Sequence, residues 1–135
     1  MRTFCSLAIS RLVACSSGTE PGPPPAAFTD RVPLHSCGQA KATGPDTSVA
    51  ELYSQQAMAC LERGRADDGA EWSVTTITTE GEPVTAYYRV AATSSQVEVF
   101  IDSSRSSFFG GPGWRQFSCV VPIIDADNLL ACSNY

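Results

Sequence analysis

Six cysteines, at positions 5, 15, 37, 60, 119 and 132, constrain this 135-residue chain more than any other feature. No two form the C-x-x-C pair that zinc ribbons and thioredoxin-like sites require, so they point to cross-links made in an oxidising, exported setting. The single histidine, His35, excludes a histidine-rich metal site and leaves a nucleophile-histidine pair hard to build. No metal and no cofactor is expected.

The first two cysteines lie in a stretch that reads as an address rather than a fold. MRTFCSLAISRLVA places Arg2 before a short apolar run ending in Ala14, the order of a charged n-region, an h-region and a small residue at the cut. It is too short to span a bilayer. Leu12-Val13-Ala14-Cys15 resembles the lipobox of bacterial lipoproteins. That resemblance implies a signal peptide over residues 1–14, cleavage before Cys15 and a diacylglycerol thioether on the Cys15 sulfur. Arg11 interrupts the apolar run, and the competing reading is a plain disordered leader that is never cut.

SSGTEPGPPP follows directly, polar and proline-rich, so residues 15–34 are expected to form a flexible tether reaching up to about 60 Å from a membrane. Two or three acyl chains, at ~0.8 kcal/mol per buried methylene, would make the attachment nearly permanent. Loss of Arg2 and Arg11 leaves seven bases against fourteen acids, so charge would not draw the domain to anionic lipid. No basic stripe interleaved with aromatics tracks a phosphate backbone, and no nucleic-acid partner is expected.

Residues 35–135 read as one α+β domain. Within TGPDTSVAELYSQQAMACLERGRADDG, Ser48-x-x-Glu51 forms a capping box, with Asp46 as the other N-cap candidate. Val49, Tyr53, Ala57, Cys60 and Leu61 share one face of a single helix that Gly64 would end. After Gly69 the period changes to two: EWSVTTITT, VTAYYRVAA and QVEVFID predict three antiparallel strands, and WRQFSCVVP predicts a fourth. Val84, Ala86, Tyr88 and Val90 fall on one face of the second strand, as do Val97, Val99 and Ile101 on the third. IIDADNLLACSNY suggests a short helix over residues 125–132. The fold class expected is therefore one N-terminal helix packed on a four-stranded antiparallel sheet, stapled by disulfides. Four cysteines allow three pairings, and neighbours are favoured: Cys37 with Cys60, and Cys119 with Cys132. Each would add ~3 kcal/mol.

The candidate functional residues cluster in two loops. Thr79-Glu80-Gly81-Glu82-Pro83-Val84 and Asp102-Ser103-Ser104-Arg105, followed by Phe109-Gly110, together resemble an uncharacterised domain of bacterial lipoproteins patterned T-x-E-G-D-P-I and D-x-T-R-D. The likeness covers residues 72–119, with Glu82, Val84 and Ser106 replacing the usual Asp, Ile and Asp. It implies an envelope location and names no activity. From the residues themselves, Glu80-Gly81 suits a hairpin turn that Pro83 closes to pairing, and the functional alternative is an acidic patch of Glu80 and Glu82 for a cationic or hydroxylated ligand. Loss of Glu82 is expected to change stability little. Asp102 and Arg105 are expected to pair locally. Phe109 and Trp114 either line a binding surface or cover the end of the core.

These readings favour a lipid-anchored protein on the extracytoplasmic face of a bacterial membrane, binding an envelope protein or polymer without catalysis. A hydrolase using carboxylates alone, which needs a defined carboxyl separation and a cleft, is the nearest alternative. An inhibitor or immunity-like partner of an exported protein is the third.

Overall fold

The computed structural model describes residues 22–107 and 111–133. The signal segment, the lipobox with Cys15, and Phe109 lie outside the described residues. A short helix α1 (Ala26–Thr29) leads into strand β1 (His35–Lys41), helices α2 (Val49–Leu52) and α3 (Gln55–Ala66), strands β2 (Ala70–Ile77), β3 (Pro83–Val90), β4 (Gln96–Asp102) and β5 (Trp114–Val120), and helix α4 (Ala126–Ser133). The class is α+β, but the sheet has five strands in the order β1-β2-β3-β4-β5 and is mixed rather than purely antiparallel.

The added strand is β1, which pairs in parallel with β2, from His35 opposite Ala70 to Lys41 opposite Thr75, with an irregularity between Ser36 and Gln39. HSCGQAK carries no apolar alternation because the strand sits at an edge, half exposed, with Gly38 at φ +89°. A parallel partner needs a crossover, and α2 with α3 supplies it. The four remaining strands are those the period-two pattern predicts, joined antiparallel in unbroken register.

The single helix expected from residue 48 onward is two. Ser48 caps α2 with the full capping box: its hydroxyl accepts the Glu51 N–H, and the Glu51 carboxylate accepts the Ser48 N–H at 2.9 Å. Tyr53 then leaves helical geometry (φ −98°, ψ 62°), and Ser54 caps a new helix through the Ala57 N–H. The break shifts the helical phase. Val49, placed on the buried face by the unbroken pattern, is 47% exposed, while Met58 takes a core position at 5%.

Gly64 does not end α3; the helix runs on to Ala66. A Cβ at Gly64 would stand 2.2 Å from the Ala70 Cβ and 2.9 Å from the Ala70 nitrogen, so the glycine is there to let helix and strand touch. Its carbonyl accepts the N–H groups of Asp67 and Gly69, which turns the chain straight into β2.

Helices α2, α3 and α4 cover one face of the sheet. Leu52, Tyr53, Met58, Leu61 and Leu129 pack there on the inward residues of β2, β3 and β4, including Val84, Ala86, Tyr88, Val97, Val99 and Ile101. The Tyr53 and Tyr88 hydroxyls meet at 3.0 Å inside this core, and the Tyr88 hydroxyl also donates to the Leu129 carbonyl at 3.4 Å. Disulfides Cys37–Cys60 and Cys119–Cys132, with Cα separations of 5.7 and 5.8 Å, pin β1 to α3 and β5 to α4. Both helix-sheet seams at the edges are thus covalent.

Replacing Gly64 with alanine tests the close approach. Helix propensity alone predicts a gain of about 1 kcal/mol, but overpacking against Ala70 costs about 1–3 kcal/mol because the obstructing atoms include backbone. The expected net result is a loss of up to about 2 kcal/mol, read as a lower urea midpoint at unchanged slope.

Candidate functional site

Period-two alternation gives the sheet a second face that no long helix covers. Gln39 and Lys41 of β1, Thr75 of β2, Thr85 and Tyr87 of β3, Asp102 of β4 and Trp114 of β5 point that way, the opposite parity to the core residues. Where β1, β2 and β4 end, a groove of about 450 Å³ is walled by Gln39, Lys41, Thr75, Thr85, Asp102 and Arg105, with Ile77 and Pro83 as its apolar part. The Thr75 and Thr85 hydroxyls meet at 2.8 Å across its floor.

Two loops frame the groove, and Glu82 joins them. The β2–β3 hairpin closes through Gly81 N–H to Thr78 carbonyl and Thr78 N–H to Glu82 carbonyl, both 2.9 Å. Gly81 adopts φ +83°, the left-handed residue that a three-residue hairpin loop needs. Pro83, expected to stop pairing, is instead the first residue of β3 and stands opposite Ile77. Strand starts tolerate proline because one missing donor there interrupts no ladder.

From this hairpin the Glu82 carboxylate reaches the loop after β4. It accepts the Ser106 hydroxyl at 3.0 Å, the Ser107 N–H at 2.9 Å and the Ser107 hydroxyl at 3.2 Å. The same loop is fixed at its base, where the Ser103 N–H and hydroxyl both donate to the Gly113 carbonyl, at 2.9 and 3.0 Å. Ser103 and Ser106 are buried, so their polar atoms require these partners. Hydrogen bonds from the Ser107 backbone, then from the Ser106 hydroxyl, hold the Glu82 carboxyl below the ordinary carboxylate range, outweighing the opposite effect of its partial burial.

Glu82 thus spends its carboxylate on Ser106 and Ser107, joining the hairpin to the loop after β4. Glu80 is exposed at the turn, its carboxylate held only by the neighbouring Thr79 hydroxyl at 2.9 Å. The expected Asp102–Arg105 ion pair is not formed. Asp102 turns its carboxylate to the Ser104 N–H at 2.9 Å, because an aspartate satisfies a backbone donor two residues on more readily than it reaches a solvated guanidinium. Both residues still line the groove.

Trp114 lies at the other end of the sequence-derived set and is partly buried. Its ring is nearly parallel to that of Tyr87 (14°, centroids 6.0 Å apart), and Phe28 of α1 sits on both at 4.7 Å and on the buried Phe100 at 5.3 Å. Arg31 stacks on the Phe28 ring at 3.9 Å and pairs with Glu71 at 3.6 Å. Arg89 bonds Glu71 and Glu98 and donates to the Val32 carbonyl. Residues 26–34, assigned by sequence to the tether, thus form a strap lying on the outer face. Burial, and secondarily the negative charge of Asp102, raises the Tyr87 phenol, with Arg31 opposing.

No family model, no curated protein and no solved structure matches this chain. Sequence reasoning missed Gln39, Lys41, Thr75, Thr85 and Tyr87; for Thr85 and Tyr87 the signal was available in the parity opposite to Val84, Ala86 and Tyr88. It also missed Phe28, the one large aromatic in the proline-rich segment. Among the described residues no group of three or more His, Cys, Asp or Glu converges as a metal site.

Glu82→Gln removes the charge while keeping the shape. Because the folded carboxyl is held below its unfolded value, its contribution to loop order is full at neutral pH and fades as pH falls through and below the ordinary carboxylate range, near 4.3. Amide exchange at Ser106 and Ser107 should accelerate by at least about tenfold in the variant at pH 7. In the wild type the same amides should lose protection on acidification, with the strand interiors unchanged. Equal protection in both proteins at pH 7 would remove the anchoring role.

Proposed function

We propose that this chain is a lipid-anchored domain of the bacterial envelope that binds an envelope polymer or protein, without catalysis, through the outer face of its sheet. One observation carries the reading: the longer helices and both disulfides lie on one face, while the other presents a polar groove whose walls are fixed by Glu82 and its serine partners. A preformed concave site with a few convergent polar groups is the ordinary form of a recognition surface. The two disulfides fit the exported setting that a signal segment and lipobox would provide. No helix among the described residues is long and apolar enough to cross a membrane, so attachment in this reading rests on Cys15.

Two measurements on the full chain expressed in a bacterium test this. Wild type should partition with membranes and carry added diacylglycerol mass after loss of residues 1–14, and Cys15→Ala should be released without change in thermal unfolding. The released protein should be retained by isolated envelope material, and Thr85→Trp, which fills the groove, should reduce that retention by about tenfold or more. Membrane retention of Cys15→Ala would refute the anchor; retention unaffected by Thr85→Trp would refute the outer face as the binding surface.

A further inference from the structure

Charge within the groove specifies a class of ligand. The described residues include seven bases, and four of them have partners: Arg31, Arg65 and Arg89 in ion pairs, and Arg115 in another contact. Lys41 and Arg105 have no ion pair and no side-chain hydrogen bond, and both stand on the rim of the same groove. They do so in a chain of net charge −5, where two unpartnered cations lining one groove are not an average property of the surface. Lys41 comes from the end of β1 and Arg105 from the loop after β4, so the sheet register and the Glu82 anchor both serve to hold them across one opening.

Besides the cations the lining is mostly hydrogen-bonding, with Ile77 and Pro83 as its apolar part. Thr75 and Thr85 supply hydroxyls, Gln39 an amide, and Asp102 a single carboxylate with one oxygen committed to the Ser104 N–H. Such a surface matches a ligand bearing hydroxyl donors together with a negative group.

Resting on the binding role proposed above, we infer that the groove takes a carboxylated sugar of an acidic polysaccharide. The ligand carboxylate lies between Arg105, whose planar fork accommodates two parallel hydrogen bonds, and Lys41, and the sugar hydroxyls face Gln39, Thr85 and the free oxygen of Asp102. Two cations against one acid balance one negative charge per sugar. A phosphodiester chain is disfavoured because the Asp102 carboxylate in the same lining offers an acceptor that hydroxyl donors satisfy and a phosphate oxygen does not.

The test is calorimetric titration of the Cys15→Ala full chain with an oligogalacturonide and with its methyl-esterified form, which keeps the ring and loses the charge. The acidic oligomer should bind and the ester should bind at least about tenfold more weakly. Lys41→Gln/Arg105→Gln should lose about tenfold or more in affinity, while Arg63→Gln, an exposed unpaired base outside this groove, should change it less than about twofold. Thermal unfolding of each variant shows whether the fold is intact, and Lys41→Gln alone serves if the double variant unfolds. The inference is overturned by equal binding of acid and ester, by no binding of the acid at low salt, by an equal effect of Arg63→Gln, or by preference for inorganic polyphosphate. Retention on envelope material that survives Lys41→Gln/Arg105→Gln but not Thr85→Trp would sink the acidic-sugar assignment and leave the binding role standing.

Discussion

The buried hydroxyl of Tyr88 organises this molecule. A phenol with no access to water costs several kcal/mol if unpaired, so its position in the middle of β3 obliges polar partners to arrive from the helical layer. Tyr53 brings one at the end of α2 and the Leu129 carbonyl brings another from α4. Trp72 stacks on the same ring at 5.6 Å, and Tyr53 meets it edge-on at 6.2 Å. Helices α2 and α4 are thereby fixed over one face of the sheet.

The outer face is held by different physics. Its order comes from part-buried ion pairs around Arg89, from the Phe28 aromatic contacts, and from the serine hydrogen bonds to Glu82. The disulfides and the apolar core supply the stability from behind. This division lets the groove keep unpaired cations and a half-committed Asp102 without threatening the fold.

Much of the inner face was legible in the sequence. Alternation in VTAYYRVAA and QVEVFID assigns the core parity directly, the spacing of the four cysteines suggests the pairings found, and Ser48-x-x-Glu51 marks the start of α2. The α4 helix lies within one residue of its expected span. What escaped was decided by tertiary contact. β1 is a strand only because a parallel neighbour supplies its hydrogen bonds, and HSCGQAK has no pattern of its own. The break at Tyr53 follows from a second serine cap at Ser54, which a helix-period reading overrides. Glu82 looks like a turn residue until Ser106 and Ser107, more than twenty positions away, arrive beneath it. The strap is invisible because Phe28 finds its partners only after the sheet exists.

On the reading proposed above, one face of the sheet holds the fold and the other binds. Backbone amide chemical shifts of the full Cys15→Ala chain, recorded while oligogalacturonide is added, discriminate the two faces. The perturbed amides should cluster at Lys41, Thr75, Thr85, Ser104 and Arg105, with α2, α3 and α4 unmoved. Shifts centred on the helical face, or spread evenly over both, would contradict it.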